Sequence, residues 1–257
     1  MVTWDPARYL RFRDERSRPF AELIARVEAE PASILDLGCG PGHLTPLLRA
    51  RWPDASILGL DSSPEMVAAA RRDHAATGVT YTRGDLRTWS PEEPVDLVVS
   101  NATLQWVPDH LRLLPHLAAA VAPGGHLAFS VPGNFTEPSH VLLRNLADEE
   151  PYRRWTAEVE HPSAHGTATY LDTLASLGWE VDAWETTYQH VLTGEDAVFD
   201  WISGTGARPV LEALPDDVGE QFAATYKQQL RDAYPVQAYG TVLPFRRVFV
   251  VAHRPPR

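Results

Sequence analysis

What this chain lacks narrows its chemistry first. It has a single cysteine, Cys39, in 257 residues. A disulfide framework and a cysteine-based metal site are both excluded. Its histidines form no H-E-x-x-H pair, and no G-x-S-x-G elbow occurs, which sets aside zinc hydrolases and serine hydrolases. No apolar run reaches membrane-spanning length, and Met1-Val2-Thr3-Trp4-Asp5 does not open like a secretory signal, so a cytoplasmic protein is expected. Basic residues are too few. The formal net charge of −11 argues against a nucleic-acid backbone as partner, because phosphate binding needs a basic face. No repeat or low-complexity tract is visible. Nothing suggests an oligomer, and a monomer is the default expectation.

What the chain does have is Asp36-Leu37-Gly38-Cys39-Gly40-Pro41-Gly42. Ser33-Ile34-Leu35 before it reads as a short buried strand, and His43 to Arg51 after it reads as an amphipathic helix. A glycine turn between strand and helix lets a polar ligand approach backbone N–H groups and a helix N-terminus. Spacing discriminates among ligands. A dinucleotide fingerprint, G-x-G-x-x-G, would put His43 at its third position, whereas here the third glycine arrives one residue earlier, at Gly42. Asp36 would repel a pyrophosphate and suits a cationic or amine-bearing ligand. The pattern D-x-G-x-G-x-G resembles motif I of the class I S-adenosylmethionine-dependent methyltransferases.

Further acidic residues follow in register. Ser56-Ile57-Leu58-Gly59-Leu60 reads as a second strand ending in Asp61, where a carboxylate can accept from a ribose diol. Ser62 follows at the same strand end. Ser63 is the expected N-cap of the next helix, with Pro64 at its first position and Met66 placed against an adenine ring. Strand three, Val79 to Thr82, leads to Gly84-Asp85-Leu86. There Asp85 can accept from the adenine amine and Leu86 can offer its backbone N–H. Strand four, Val95 to Ser100, leads to Asn101, which lines the channel between cofactor and acceptor in such enzymes. Trp106 reads either as a wall of that channel or as core. Asn101-Ala102-Thr103-Leu104 lacks the N/D-P-P-Y/F signature of amide and adenine methylation.

A helix over Asp109 to Val121, a turn at Ala122-Pro123-Gly124-Gly125 and a fifth strand from Gly125 complete the first half. Later come a helix over Tyr170 to Leu177, a strand over Trp179 to Leu192 and a last strand over Arg246 to Ala252. Helix–strand alternation implies an α/β fold with a doubly wound, mostly parallel seven-stranded sheet. Two insertions, 132–163 and 194–243, leave that pattern at the carboxyl edge of the sheet. With residues 1–28 they are expected to form a helical cap enclosing a small acceptor. In the N-terminal segment Tyr9 and Arg16 are seven residues apart. They read either as surface and packing residues or as a lid on the cofactor's methionine end.

The whole chain resembles the trans-aconitate 2-methyltransferase family. The resemblance rests on Trp4-Asp5-Pro6, Arg16-Ser17-Arg18-Pro19, Asp61-Ser62-Ser63-Pro64, Leu104-Gln105-Trp106, Glu137-Pro138-Ser139-His140 and Val181 to Tyr188. It implies transfer of a methyl group from S-adenosylmethionine to one carboxylate of trans-aconitate, giving a monomethyl ester. Such a nucleophile is ionised far below neutral pH and needs no general base. Its other carboxylates need fixed cations, for which Arg16, Arg208 and Arg246 or Arg247 are candidates, with Asn134 and His165 as polar contacts. Tyr170-Leu171 and Ala164 to Thr167 depart from the family pattern, which bears on the acceptor rather than the reaction. Methylation of another small metabolite, or cofactor binding without turnover, are the alternative functions.

Overall fold

The computed structural model describes residues 13–75 and 78–256, with the side chains of 13–16 outside the description. Seven strands form one sheet in the order β3-β2-β1-β4-β5-β7-β6. They are β1 Ser33–Leu37, β2 Ser56–Asp61, β3 Thr80–Arg83, β4 Val95–Asn101, β5 Val121–Pro132, β6 Glu180–Leu192 and β7 Thr241–His253. The first five run parallel, with Leu35 beside both Leu58 and Val98. The start of β5 bonds Arg254, and Gly133, just past its end, bonds Arg246, so β7 runs antiparallel to β5. Ile34, Leu35 and Leu37 are all buried, as a central strand covered on both faces requires.

Helices cover the sheet where the apolar pattern asks for them. On α1 (Arg13–Ala25) and just beyond it, Phe20, Leu23, Ile24 and Val27 are buried. The exposed side of α1 is tied to β6. Glu22 accepts from Trp184 Nε1 at 3.0 Å and Thr186 Oγ1 at 2.6 Å, and Arg26 pairs with Asp182 at 3.1 Å. The crossover helix α2 is Thr45–Arg51, two residues shorter at its start than expected. Helix α3 is Pro64–Asp73, and Ser63 caps it as expected, its Oγ accepting from Met66 N at 3.2 Å.

The expected helix over Asp109 to Val121 is broken. A 3₁₀ turn, His110–Leu113, leads into a short helix, α4 (Leu114–Ala119), and Val121 already belongs to β5. Asp109 holds a left-handed φ of 52°. That conformation keeps it out of a regular helix. The later helix α7 is Thr167–Ala175, and β7 begins five residues before the expected Arg246.

By internal contacts the chain divides into two compact units. The larger comprises residues 13–131, 164–186 and 247–256 of those described, and so includes α1, which had been expected with the insertions. The smaller comprises 132–163 and 187–246. Its helices include α5 (Pro138–Ala147), α6 (Arg153–Thr156), α8 (Ala197–Ser203), α9 (Arg208–Ala213) and α10 (Asp216–Ala233). Buried Tyr226 of α10 donates to Ser139 O at 2.5 Å, and Ser139 N donates to Tyr234 Oη at 3.1 Å. Asp196 holds Lys227 at 3.0 Å and also pairs with Arg231, fastening α10 to the segment before α8.

Candidate active site

The glycine turn is built as the spacing demands. Gly38, Gly40 and Gly42 have φ of 71°, 56° and 78°, a region that side-chain-bearing residues avoid. Gly38 and Gly42 are also sterically required. A Cβ on Gly38 would fall within 2.7 Å of Thr103 Cβ, and one on Gly42 within 2.9 Å of Tyr81 Oη. Gly40 differs: a Cβ there would point into open space. Gly38 N and Cys39 N both donate to Leu60 O, at 2.7 and 3.1 Å, which moors the turn to β2.

Two carboxylates organise this turn. Asp61 Oδ2 accepts from Gly40 N and its Oδ1 from Ser63 N, each at 2.9 Å, so one side chain braces the turn and the start of α3. Burial nevertheless raises the Asp61 pKa, against these backbone N–H bonds. Asp36, at the end of β1, is 4% exposed. Its pKa is raised to about 7, first by burial and then by the negative charge of Asp61. Two acids buried together favour a cation as their partner.

The other expected cofactor residues lie on neighbouring strand ends. Asp85 follows β3 with its side chain 37% exposed, and Arg87 grips it through Nε at 3.0 Å and Nη2 at 2.6 Å. That pairing, which the sequence reading did not anticipate, holds the Asp85 carboxyl below its ordinary range. Leu86 is half-buried against the main core, Met66 is buried and Ser62 is exposed. Asn101 ends β4, its Oδ1 accepting from Ser130 Oγ at 2.6 Å. Trp106 is half-buried in the 3₁₀ turn Leu104–Trp106. Tyr9 lies outside the described residues, and Arg16 lies on α1 with its side chain outside the description.

The expected acceptor residues divide between the units. Asn134 and Arg208 belong to the smaller one. Asn134 is 2% exposed, with Oδ1 buried and without a hydrogen-bond partner among the described residues. Arg208 opens α9, is 9% exposed, and donates from Nε to Glu212 Oε1 at 2.6 Å, one helical turn on. Arg246 donates from Nε to Gly133 O at 2.8 Å. His140 is buried nearby in sequence, its pKa lowered to about 4 by burial and by Arg144 and His161, so its ring is neutral. Arg247 and His165 belong to the larger unit, where Arg247 is 5% exposed on β7.

His165 is half-buried beside a network that joins residues 60 apart in the chain. Its backbone N–H donates to Tyr170 Oη at 3.1 Å, and Tyr170 Oη lies 2.7 Å from His110 Nε2. His110 Nδ1 lies 3.3 Å from Val107 O. A carbonyl only accepts, so Nδ1 carries the proton and Nε2 accepts from the phenol. Burial lowers the His110 pKa and keeps that ring neutral. No cluster of three or more potential metal ligands occurs among the described residues.

A glycine turn with these acids at strand ends, under a sheet of order 3-2-1-4-5-7-6, defines a class. A family model described as a methyltransferase domain matches residues 9–183, and the chain belongs to the S-adenosylmethionine-dependent methyltransferases. Solved structures agree on the fold. An S-adenosylmethionine-dependent methyltransferase from Mesorhizobium loti superposes with a TM-score of 0.54 at 23% identity, over 94% of this chain and 99% of that one. The DhpI complex with S-adenosylhomocysteine gives 0.55 at 19%, over 98% and 90%.

Curated relatives narrow the class. The trans-aconitate 2-methyltransferase of Streptomyces avermitilis is 52% identical over 98% of this chain and 97% of its own length. That of Methylobacterium nodulans is 48% identical over 99% of both chains, and that of Mycobacterium tuberculosis (strain H37Ra) 49% over 97% and 96%. The chain belongs to the trans-aconitate 2-methyltransferase family.

Proposed function

We propose that this chain transfers a methyl group from S-adenosylmethionine to one carboxylate of trans-aconitate, releasing the monomethyl ester. The cofactor, when bound, supplies a methyl group activated on a sulfonium. The observation that carries the assignment of its site is the Asp36–Asp61 pair behind a glycine turn whose Gly40 leaves room for a ligand. These residues fit a ligand that is cationic, carries a ribose and approaches the main chain closely.

In this reading Asp36 and the turn hold the methionine end and Asp61 the ribose. Met66, Asp85 and Leu86 border the adenine, and Ser62, Asn101 and Trp106 complete the cofactor side, with Tyr9 and Arg16 from the N-terminal segment. The two insertions serve acceptor recognition. Asn134, His165, Arg208 and Arg247 are the acceptor residues of this reading, the arginines binding the carboxylates that do not react. The acceptor carboxylate has a reference pKa near 4, so no side chain has to take a proton from it. What the chain provides is orientation in a dry pocket, which is worth roughly 7–11 kcal/mol in well-aligned reactions. The reading extends to a monomer working in the cytoplasm on a small free acid, with no nucleic-acid or membrane partner. The net charge of −11 supports the first exclusion.

Incubation with methyl-labelled cofactor and trans-aconitate tests this directly. Label in an ester that alkali hydrolyses is the expected result. Methylation of a different acid or phenol, with trans-aconitate untouched, removes the substrate assignment. Cofactor binding without transfer across a panel of acids makes the chain a binding protein.

A further inference from the structure

The segment after β4 carries a buried polar atom that the fold leaves unmatched. Gln105 is 5% exposed, and its Nε2 donates to Ala102 O at 2.6 Å. That bond fixes the amide's orientation, because a flipped amide would set one carbonyl oxygen against another. Oε1 is therefore the atom turned away, and it is buried without a hydrogen-bond partner among the described residues. The carbonyl it is tied to is itself unusual. Ala102 has a φ of 55°, left-handed for a residue with a side chain, and its N–H donates to Ser130 O at 2.8 Å. Such conformations persist where the surroundings over-determine them, often at ligand sites.

This segment touches the glycine turn. The Thr103 side chain fills the space where Gly38 would carry a Cβ, and its hydroxyl lies 3.4 Å from Gly38 O. Gln105 thus belongs to the carboxyl ends of β1 and β4. Polarity identifies what fits there. Asn101 Oδ1 is engaged by Ser130, which leaves Nδ2 to donate. Gln105 Oε1 only accepts. One donor and one acceptor, four residues apart, suit a zwitterion. The argument rests on the methyl-transfer reading above. The ionised tricarboxylate acceptor offers no N–H or O–H. On the cofactor, the adenine amine and ribose hydroxyls are assigned to Asp85 and Asp61 on the β2–β3 side. The methionine end, held in that reading by Asp36 and the turn, carries an α-ammonium with three N–H donors, which leaves a donor for a further acceptor.

We propose that Gln105 Oε1 accepts a hydrogen bond from the α-ammonium of S-adenosylmethionine, so that Gln105 is a cofactor-binding residue held in place by the strained Ala102 carbonyl. Calorimetry with S-adenosylhomocysteine and with its analogue lacking only the α-amino group provides the test. In the wild-type chain the analogue binds at least tenfold more weakly. In Gln105→Met, S-adenosylhomocysteine binding falls about tenfold and the analogue binds as it does to wild type. Equal losses for both ligands, or no loss for either, overturn the proposal. So does a raised acceptor KM with cofactor binding intact, which would place Gln105 against the acceptor.

A readout on the unmutated protein covers a variant that fails to fold. The Gln105 side-chain amide signals in ¹H–¹⁵N spectra should shift on adding S-adenosylhomocysteine and stay put with the analogue. S-adenosylhomocysteine binding with those signals unmoved overturns this proposal alone. No binding of S-adenosylhomocysteine overturns the methyl-transfer reading with it.

Discussion

Gly38 and Gly40 stand two residues apart in one turn, yet alanine at each should fail for a different reason. At Gly38 (φ 71°) the added methyl meets Thr103 at distances that real Cβ atoms do not tolerate. Left-handed backbone costs an L-residue about 1–2 kcal/mol, and overpacking a filled site adds about 1–3 kcal/mol. Gly38→Ala should therefore lose about 2–5 kcal/mol, against a typical total stability of about 5–15 kcal/mol. At Gly40 (φ 56°) no heavy atom lies within 4 Å of the added methyl, so only the backbone term applies, about 1–2 kcal/mol.

In the proposed reading that methyl enters the space the ligand occupies. Gly40→Ala should raise the dissociation constant of S-adenosylhomocysteine at least about tenfold, equivalent to ~1.4 kcal/mol. Denaturant unfolding measures the first effect and calorimetry the second. A double-mutant cycle isolates the clash. Gly38→Ala combined with Thr103→Gly should be more stable than the sum of the single effects by about 1–3 kcal/mol. A coupling of zero, or a Gly40→Ala as unstable as Gly38→Ala, refutes the reasoning.

Asp36 gives a pH signature. Its folded pKa of about 7 lies above the unfolded value, so its share of stability is intact in acid and drains as pH rises from about 4 to 7. Asp36→Asn should accordingly gain roughly 1–3 kcal/mol at pH 8 relative to pH 5 by denaturant unfolding, while losing the rise in affinity for cationic S-adenosylmethionine between pH 6 and 8 that wild type shows by calorimetry. Arg208→Ala and Arg247→Ala should each raise the KM for trans-aconitate about tenfold or more, since a charge-assisted hydrogen bond is worth ~1.5–3 kcal/mol, and leave S-adenosylhomocysteine affinity unchanged; steady-state kinetics with both ligands checks this. Tyr170→Phe strands His110 Nε2 and His165 N, and should cost about 1–3 kcal/mol in thermal or denaturant unfolding with no change in the sheet's circular dichroism.

Much of the sheet was legible because its signals are local. Ser33–Leu37 and Ser56–Asp61 are short apolar runs closed by an acid, and Ser63-Pro64 announces a helix start through side-chain capping. The buried face of Phe20, Leu23, Ile24 and Val27 follows from helical period alone. The stretch after Pro108 departs from the helix its apolar spacing predicts because Asp109 adopts a left-handed conformation that no spacing announces. In the site, the glycines and the acids at the strand ends could be read from register.

Partnerships could not. Asp85 is gripped by Arg87 through a side-chain fork at short range, a pairing that the neighbouring residues do not announce. Tyr170 and His110 meet across 60 residues, a contact that only the folded sheet creates. Gln105 stood inside a stretch already noted for its resemblance, but an unmatched carbonyl oxygen becomes visible only once every other donor nearby has been assigned.

The sheet order carries a consequence for how this molecule is made. β7 lies between β5 and β6, yet it is the last of the described strands to leave the ribosome. While residues 193–240 are being synthesised, β5 and β6 each wait with an open hydrogen-bonding edge, and unpaired edges recruit other chains. Entry of the 13-residue β7 closes both edges in one event. Chains truncated or stalled before Thr241 would therefore expose two sticky edges at once. Synthesis of the helical insertion is therefore the interval in which both edges stand open.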